Sequence, residues 1–308
     1  MINVSSKNMA FRNIYIQNDV HLKIKNEQVL IQKDEDEYTI PLEDINCICI
    51  ESQRTNISTY ALKKFIEHDI IVYICDEKHL PTGILIGTNN YSRQLKNLKL
   101  QFEVSKPFNK RIWQDVVDVK IRNQAEALKL LGNVHYNKII EMRKGITSGD
   151  TTNVEAKAAS FYFRELFGRT FNRKIECIEN ACLNYGYAIV RGMIARTLIM
   201  YGFEPAIGIF HHNQLNNFNL ADDFIECFRP VVDLYVLSNC DFNQSYLSSL
   251  EKQKLCNVIN CLVLIDGKKF NIQSAIEYMV KSYSTSINKK ENLMKLPYLI
   301  ELEEYRYA

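Results

Sequence analysis

The sequence lacks the features that mark a membrane-spanning or secreted protein. No apolar run approaches the roughly 20 residues that a bilayer-spanning helix needs, and no basic segment followed by an apolar one opens the chain, as in a signal peptide. The nine cysteines form no CxxC motif, and most of them lie in apolar runs such as INCICI. These absences predict buried, free thiols in a reducing compartment and a cytoplasmic protein without membrane association.

Several catalytic and nucleotide-binding motifs are also missing. The sequence has no GxSxG nucleophile elbow, no GxxxxGK[ST] phosphate loop, no HExxH zinc helix and no GxGxxG dinucleotide fingerprint. The formal charge is +2, from 38 basic and 36 acidic residues. This balance neither requires nor excludes a nucleic-acid partner, because a binding protein can gather its basic residues on one face.

The distribution of residue types along the 308 residues predicts an α+β protein. Short runs rich in Ile, Val, Tyr and Thr alternate with polar turns at first, and one helix, capped by Ser58, interrupts them. We therefore expect a small β-rich N-terminal domain over residues 1–95 and a larger all-helical C-terminal domain over residues 96–308. Helices of the second domain are predicted over 111–131, 134–144, 152–167, 175–202, 218–228, 245–261 and 270–283.

Glu155 is the first candidate for a functional residue. It lies near the start of the helix predicted over 152–167, on a face that it shares with Ala158 and Ala159. Small neighbours would let another segment of the chain come close to the carboxylate. The pattern also fits an ordinary first-turn glutamate that the helix dipole stabilises.

The stretch GIFHHNQLNNFNLADDFIECFRP, residues 208–230, holds the second group of candidates. His211 and His212 follow an apolar run, and Asp223 and Glu226 are three residues apart, so both point from one face of the next helix. Carboxylates with one imidazole suit Mn²⁺ or Mg²⁺ better than a structural zinc ion. The alternative is that the acids are solvated and that the histidines cover an edge of the core.

Basic residues accompany these acids in the sequence. Arg191 and Arg196 lie within a long, mostly apolar helix, so at least one of them should face an anion or an acid. Internal ion pairs would satisfy them equally well. Lys120, on the helix predicted over 111–131, would extend a basic face, and Pro230 after Arg229 predicts the end of a helix.

Three segments in a fixed order resemble a known family. The segment VEAKAASFYFRELFG is similar to a Glu-x-x-Ala-Ala-x-x-Tyr-Phe helix, and IENACLNYGYAIVRGMIARTLIMYGFEPAIGIFHH to an Asn-Ala-x-Leu-Asn-Tyr-Gly-Tyr helix followed by Gly-x-x-His. The segment FNLADDFIECFRPVVD is similar to Leu-x-x-Asp-x-x-Glu-x-Phe-Arg-Pro. These are segments of the CRISPR-associated integrase family, the first of the Cas proteins, in its type II form. The resemblance covers nearly the whole chain, and Ala156 replaces a glycine that is usual in the family, which a helix tolerates well.

The resemblance implies a set of functional residues. Glu155, His211 and Glu226 would be the catalytic residues and the ligands of Mg²⁺ or Mn²⁺, with His212 as the alternative histidine. The side chains expected beside these ligands are Asp223, His212 and Asn180. The arginines expected to contact DNA are Arg173, Arg191, Arg196 and Arg229.

The resemblance also implies a function and partners. Family members are homodimers that join 3′-hydroxyl ends of short duplex DNA to the CRISPR repeat, and they act with a small second Cas protein. The reaction is a metal-dependent transesterification, and the same site would act as an endonuclease. Other type II adaptation proteins and the type II effector nuclease are further expected partners. The alternative function is a catalytically silent DNA-binding subunit of the same complex.

Overall fold

The structure, a computed structural model, describes residues 12–77, 80–87 and 93–304. These residues form two compact units, one up to residue 87 and one from residue 93. The first is mainly strands and the second mainly helices, which confirms the predicted α+β class and the order of its two parts. No helix among the described residues combines the length and apolarity of a bilayer crossing.

The first unit holds two sheets and one helix in its described part. Its elements are β1 (Arg12–Ile16), β2 (His21–Lys25), β3 (Gln28–Lys33), β4 (Asp36–Pro41), β5 (Ile45–Ile50), β6 (Asn56–Ile57), α1 (Thr59–Glu67), β7 (Ile71–Cys75) and β8 (Pro81–Leu85). One sheet has the strand order β1-β5-β7-β8 and the other β4-β3-β2-β6. Apolar side chains of both sheets and of α1 form one core. Ser58 caps α1 as predicted, because its hydroxyl accepts the Ala61 N–H at 3.1 Å.

The second unit is built around two long helices. Its elements are α2 (Gln94–Glu103), α3 (Lys106–Leu130), α4 (Tyr136–Arg143), α5 (Val154–Phe167), α6 (Ile178–Met200), α7 (Asn219–Ile225), α8 (Arg229–Asn239), α9 (Ser249–Cys256), β9 (Cys261–Ile265), β10 (Lys268–Asn271), α10 (Ile272–Lys289) and β11 (Tyr298–Glu304). Helix α3 packs against α4, α5 and α8, while α6 packs against α7, α8 and α9. Gly186 lets α8 come close to α6, since a Cβ there would lie 2.6 Å from Cγ1 of Val232.

The second unit is not all-helical, which corrects that part of the prediction. The helix predicted over 245–261 ends at Cys256, and residues that follow form a sheet of strand order β10-β9-β11. Asp266 and Gly267 join β9 to β10 with positive φ angles of 51° and 76°, which is the geometry of a two-residue hairpin turn. An Asp-Gly pair after an apolar run was the sequence signal for this hairpin.

The helix predicted over 218–228 is shorter than expected, and a second helix follows it. Helix α7 ends at Ile225, and α8 begins at Arg229 with Pro230 in its first turn. The interpretation of Pro230 as the end of a helix was therefore wrong. Proline is tolerated in a first turn because the N–H that it lacks has no partner there. Glu226 consequently lies in the short link between two helices.

The cysteines agree with the prediction of free thiols. All nine lie in the described residues and are unpaired by disulfides, and only Cys177 and Cys240 are more than slightly accessible to solvent.

Candidate active site

Glu155 is held in place by a capped helix start. Asp150 is buried, and its carboxylate accepts the backbone N–H groups of Val154 and Glu155, each at 2.9 Å. Gly149, with φ of +73°, makes the turn that brings Asp150 to this position. Asp150 thus satisfies two of the N–H groups that a helix start leaves free. The sequence prediction missed this cap, although an acid shortly before a helix is its usual signal.

Glu226 is buried between two cations. Its Oε1 accepts a hydrogen bond from Nε of Arg229 at 2.8 Å, and the Arg229 guanidinium lies 4.4 Å from the centre of the Tyr187 ring. Burial by itself would raise the pKa of Glu226, but Arg229 and Lys120 outweigh it and lower that pKa to about 2. Glu226 is therefore an ionised carboxylate at neutral pH.

Lys120 joins the two glutamates. Its Nζ contacts Oε1 of Glu155 and Oε2 of Glu226, and its side chain is almost fully buried. Burial disfavours the charged lysine, yet Glu226 and Glu155 outweigh that effect and raise its pKa. Oε2 of Glu226 is therefore a buried oxygen whose neighbour is the Lys120 ammonium. The expectation that Lys120 extends an exposed basic face was wrong, because the long-range pairing with two acids draws it inside.

His211 is oriented by Asp223. The fully buried Asp223 carboxylate accepts three backbone N–H groups, those of Ile209 at 2.5 Å, Phe210 at 3.1 Å and His211 at 3.1 Å. It also lies 2.7 Å from Nδ1 of His211. This hydrogen bond, opposed by partial burial, raises the pKa of His211. With Nδ1 engaged, Nε2 is the ring nitrogen that remains for a metal or a substrate.

Two further contacts fix the His211 loop. Phe210 stacks on Trp113 with ring centres 4.1 Å apart and planes 2° from parallel. A Cβ at Gly208 would collide with the carbonyl oxygen of His211 and lie 2.9 Å from an Asp223 oxygen. The Gly-x-x-His spacing of the sequence thus has a steric cause, since only glycine fits where the loop folds back on itself.

The structure brings the predicted ligands together only in part. Glu155 and Glu226 converge on the Lys120 ammonium, and Glu226 contributes to the electrostatic field at His211. In the described residues, however, no three histidine, cysteine, aspartate or glutamate side chains approach closely enough to hold a metal ion. The assignment of Glu155, His211 and Glu226 as ligands stays a prediction.

The other residues expected beside the ligands have different surroundings. His212 is exposed. Asn180 is buried and donates to the carbonyl oxygens of Asn172 at 2.9 Å and Ile175 at 2.8 Å, and it also accepts a hydrogen bond from Arg173. Asn180 therefore shapes the loop before α6, which carries Arg173.

The four predicted DNA-contacting arginines are at least partly buried. Arg191 forms an ion pair with Asp222, with Nε 2.7 Å from Oδ1, and its guanidinium lies over the Phe218 ring. Arg173 and Arg229 both lie against the Tyr187 ring. Arg196 is a partly buried residue of α6.

A small pocket opens beside Glu226. Its volume is about 170 Å³, and both charged and aromatic groups line it. The lining side chains are Lys120, Gln124, Phe163, Arg173, Tyr187, Glu226, Arg229 and Asp233. Oε1 of Gln124 is buried there without a hydrogen-bond donor. The pocket thus borders the ion pair that joins the two candidate ligands.

Comparison with known proteins gives the family. The family model described as CRISPR associated protein Cas1 matches residues 14–274. The CRISPR-associated endonuclease Cas1 of Neisseria meningitidis serogroup C (strain 8013) is 40% identical over 303 residues, which cover 97% of this chain and 100% of that protein. A CRISPR-associated endonuclease Cas1 of Francisella tularensis subsp. novicida (strain U112) is 22% identical, with 92% and 96% covered.

Solved structures share the fold. A casposase bound to integration product has a TM-score of 0.76 at 19% identity, over 93% of this chain and 92% of that one. A chain of a Cas6-RT-Cas1–Cas2 complex has a TM-score of 0.68 at 18% identity, over 92% of this chain and 35% of that one. A CAS1 protein from Thermotoga maritima has a TM-score of 0.71 at 15% identity, over 92% and 99%. Since the family model spans most of the sequence and the Neisseria relative matches nearly all of it, the chain belongs to the Cas1 family of CRISPR-associated proteins.

Proposed function

We propose that this chain is a divalent-metal-dependent DNA integrase and endonuclease of CRISPR adaptation, of the type II form. The observation that carries the proposal is the convergence of Glu155 and Glu226 on one cation, with His211 held nearby by Asp223. Two carboxylates that share a cation in a buried place are suited to a divalent ion. The name of the Neisseria relative, an endonuclease, supports the same class of reaction.

The residues fit Mg²⁺ or Mn²⁺ as the cofactor. Glu226 supplies a buried carboxylate, Glu155 supplies a partly exposed one, and His211 supplies Nε2. A set of two carboxylates and one imidazole agrees with the ligand preference of these ions. When bound, the ion would polarise a phosphoryl oxygen and stabilise the oxygen that leaves.

The protein side chains have their own parts in this reaction. Asp223 fixes the imidazole of His211 in one orientation, so that its free nitrogen keeps a constant direction. Arg229 holds Glu226 and maintains its ionised form. Two cations, the buried Lys120 and the partly buried Arg229, would also offset the negative charge that a phosphodiester brings to the site.

The proposed substrates and partners rest on the Cas1 family relationship and on the candidate metal site. The substrates would be short duplex DNA, whose 3′-hydroxyl ends attack the phosphodiester backbone of the CRISPR repeat. A solved structure with this fold is a Cas6-RT-Cas1–Cas2 complex, which supports assembly of this chain with a small Cas2 subunit. In that assembly the chain would be a homodimer. Other type II adaptation proteins and the type II effector nuclease are further proposed partners.

Strand transfer of a labelled short duplex into a supercoiled plasmid with a CRISPR repeat tests this function. The assay uses the full chain with its Cas2 partner in Mn²⁺ or Mg²⁺. We expect Glu155→Gln and His211→Ala each to reduce transfer by at least about 100-fold, as the loss of a metal ligand or its orientation does. Wild-type transfer by both variants would show the ligand assignment to be wrong.

Two matched controls exist in the same unit. Glu179→Gln changes another first-turn glutamate, and His135→Ala removes a histidine that also bonds a carboxylate through Nδ1, at 2.7 Å from Glu165. Both should retain transfer, because neither residue lies among the proposed ligands.

A catalytically silent DNA-binding subunit is the second candidate. The ion pair of Lys120 with both glutamates favours it, because these acids already have a counter-ion. Titration calorimetry with Mn²⁺ in the presence of DNA separates the two functions. Binding that Glu155→Gln abolishes supports the enzyme, whereas no binding at millimolar Mn²⁺ supports the silent subunit.

A further inference from the structure

We propose that the Lys120 side chain is an internal counter-ion with two positions. Without metal its ammonium group lies between Glu155 and Glu226, and when metal binds it moves into the adjacent pocket and donates a hydrogen bond to Gln124. This inference rests on the proposed metal site and concerns how Lys120 and Gln124 respond when that site takes up a metal ion. It predicts that a divalent ion competes with a side chain of the protein for the same two carboxylates.

The first step of the argument is the charge around the two acids. Glu226 is almost fully buried, and Lys120 and Arg229 are the cations that contact it. Two carboxylates that face each other at low dielectric repel, so the unloaded site needs a cation between them. Lys120 provides it, which explains why a lysine is almost fully buried in α3.

The second step is the incompatibility of this arrangement with a metal ion. The Lys120 ammonium contacts one oxygen of each glutamate, and these two glutamates are the carboxylates proposed to hold the metal. A divalent ion and an ammonium group cannot occupy the same place. In the described residues no three potential ligands converge, which agrees with a lysine that lies between the two glutamates and holds them apart.

The third step is the destination of the displaced ammonium group. Lys120 and Gln124 are four residues apart on α3, so their side chains are neighbours on one helix face. Both line the pocket of about 170 Å³, which has room for a side chain to move. Oε1 of Gln124 is a buried acceptor without a donor, and such a group is expected to have a partner in another state. The Asp233 carboxylate lines the same pocket and offsets the charge that would enter.

Calorimetry with Mn²⁺ and thermal unfolding in chelator or Mn²⁺ test the counter-ion on the full chain. We expect Lys120→Met to bind Mn²⁺ at least about tenfold more tightly than wild type, because the metal no longer displaces a buried charge. The same variant should unfold at a lower temperature than wild type in chelator, and Mn²⁺ should raise its unfolding temperature by more than it raises that of wild type. Lys120→Arg keeps a cation between the carboxylates and should not tighten binding.

Gln124→Met tests the second position separately. It removes an acceptor that the metal-free protein does not use, so the unfolding temperature in chelator should stay unchanged. Its Mn²⁺ affinity should fall several-fold, because the displaced ammonium group then lacks its acceptor. This variant keeps the proposal testable even if Lys120→Met folds only with Mn²⁺ present.

Arg143→Met is the matched control for the loss of an ion pair. Arg143 of α4 bonds Asp118 of α3, the helix that carries Lys120, with Nε 2.5 Å from Oδ1. Its loss should lower the unfolding temperature equally in chelator and in Mn²⁺ and leave the Mn²⁺ affinity unchanged.

The outcomes separate this inference from the proposed function. If wild type binds Mn²⁺ and Lys120→Met binds it with the same or a weaker affinity, the result overturns the proposed role of Lys120 as a counter-ion and leaves the proposed metal site unaffected. An unchanged affinity in Gln124→Met overturns the second position. If neither wild type nor Lys120→Met binds Mn²⁺, the proposed metal site is wrong, and this inference is wrong with it.

Discussion

Asp233 is a buried acid without a full counter-charge, beside the candidate site. Burial raises its pKa to about 6, although the Tyr187 hydroxyl donates a hydrogen bond to it and Arg229 attracts its ionised form. A carboxyl group whose pKa is higher in the folded state binds a proton more tightly there than in the unfolded chain. Its ionisation therefore costs stability as the pH rises from about 4 to about 6.

We expect Asp233→Asn to gain stability relative to wild type as the pH rises through this window. The difference in unfolding free energy between variant and wild type should rise by about 2 kcal/mol between pH 4 and pH 7, because the variant has no carboxyl to ionise. Urea unfolding at several pH values measures it. Asp266→Asn, a change at an exposed acid, should show no such rise, and a flat difference for Asp233→Asn would contradict the buried-acid explanation.

Lys120 shows what the sequence could not predict at the scale of single residues. The pattern of α3 placed it among polar positions, and a lysine is most often exposed. Its two partners are Glu155 of α5 and Glu226 after α7, which are remote in the sequence. Helical periodicity describes neighbours within one element, so it holds no information about such pairings. The sequence pattern alone made Glu155 a candidate but also fitted an ordinary first-turn glutamate, and the family resemblance supplied its expected role as a metal ligand.

At the scale of elements, the start of α5 determines where Glu155 lies. Asp150 caps this start by accepting two backbone N–H groups. We expect Asp150→Ala to cost about 1–2 kcal/mol of unfolding free energy. The same change should reduce strand transfer more than the loss of stability explains, because the first turn that carries Glu155 is no longer fixed.

Ser248→Ala is the control for this prediction. Ser248 caps α9, where its hydroxyl accepts the Glu251 N–H at 3.3 Å. Its removal should cost a similar free energy and leave transfer unchanged below the unfolding temperature. Equal activity of the two variants would show that Asp150 serves the fold alone.

The predicted elements differ from the observed ones where pairing with a distant segment decides whether a segment forms a helix or a strand. The helices α3, α4, α5, α6 and α10 were predicted because their apolar residues repeat with helical period. The helix predicted over 245–261 extends beyond the observed end of α9, and the apolar run at 261–265 was not predicted as a strand, since a short run does not distinguish a buried strand from a helix. This run forms β9 by pairing with β11, whose Tyr298 lies opposite Leu264 and comes from a distant part of the chain. Tertiary contacts of this kind override local preference.

At the scale of the whole molecule, nearly balanced charge makes the distribution of cations more important than their number. The chain has a formal charge of +2, so the proposed DNA binding would depend on which basic side chains remain for phosphates. Arg191 already pairs with Asp222 and Asn216. Arg169 and Lys174 are exposed on the loop that carries Arg173, which lines the pocket beside Glu226.

The contrast between the paired Arg191 and the exposed Arg169 and Lys174 predicts different effects of their substitution on duplex DNA binding. Fluorescence anisotropy at several KCl concentrations measures these effects. The Arg169→Ala/Lys174→Ala double variant should reduce the slope of log affinity against log salt by up to about 2, because each lost phosphate contact removes about one unit. Arg191→Met should leave that slope unchanged and lower the unfolding temperature, because Asp222 loses its partner. The reverse result, a smaller slope for Arg191→Met alone, would place the DNA path along α6 and require the Arg191–Asp222 pair to open when DNA binds.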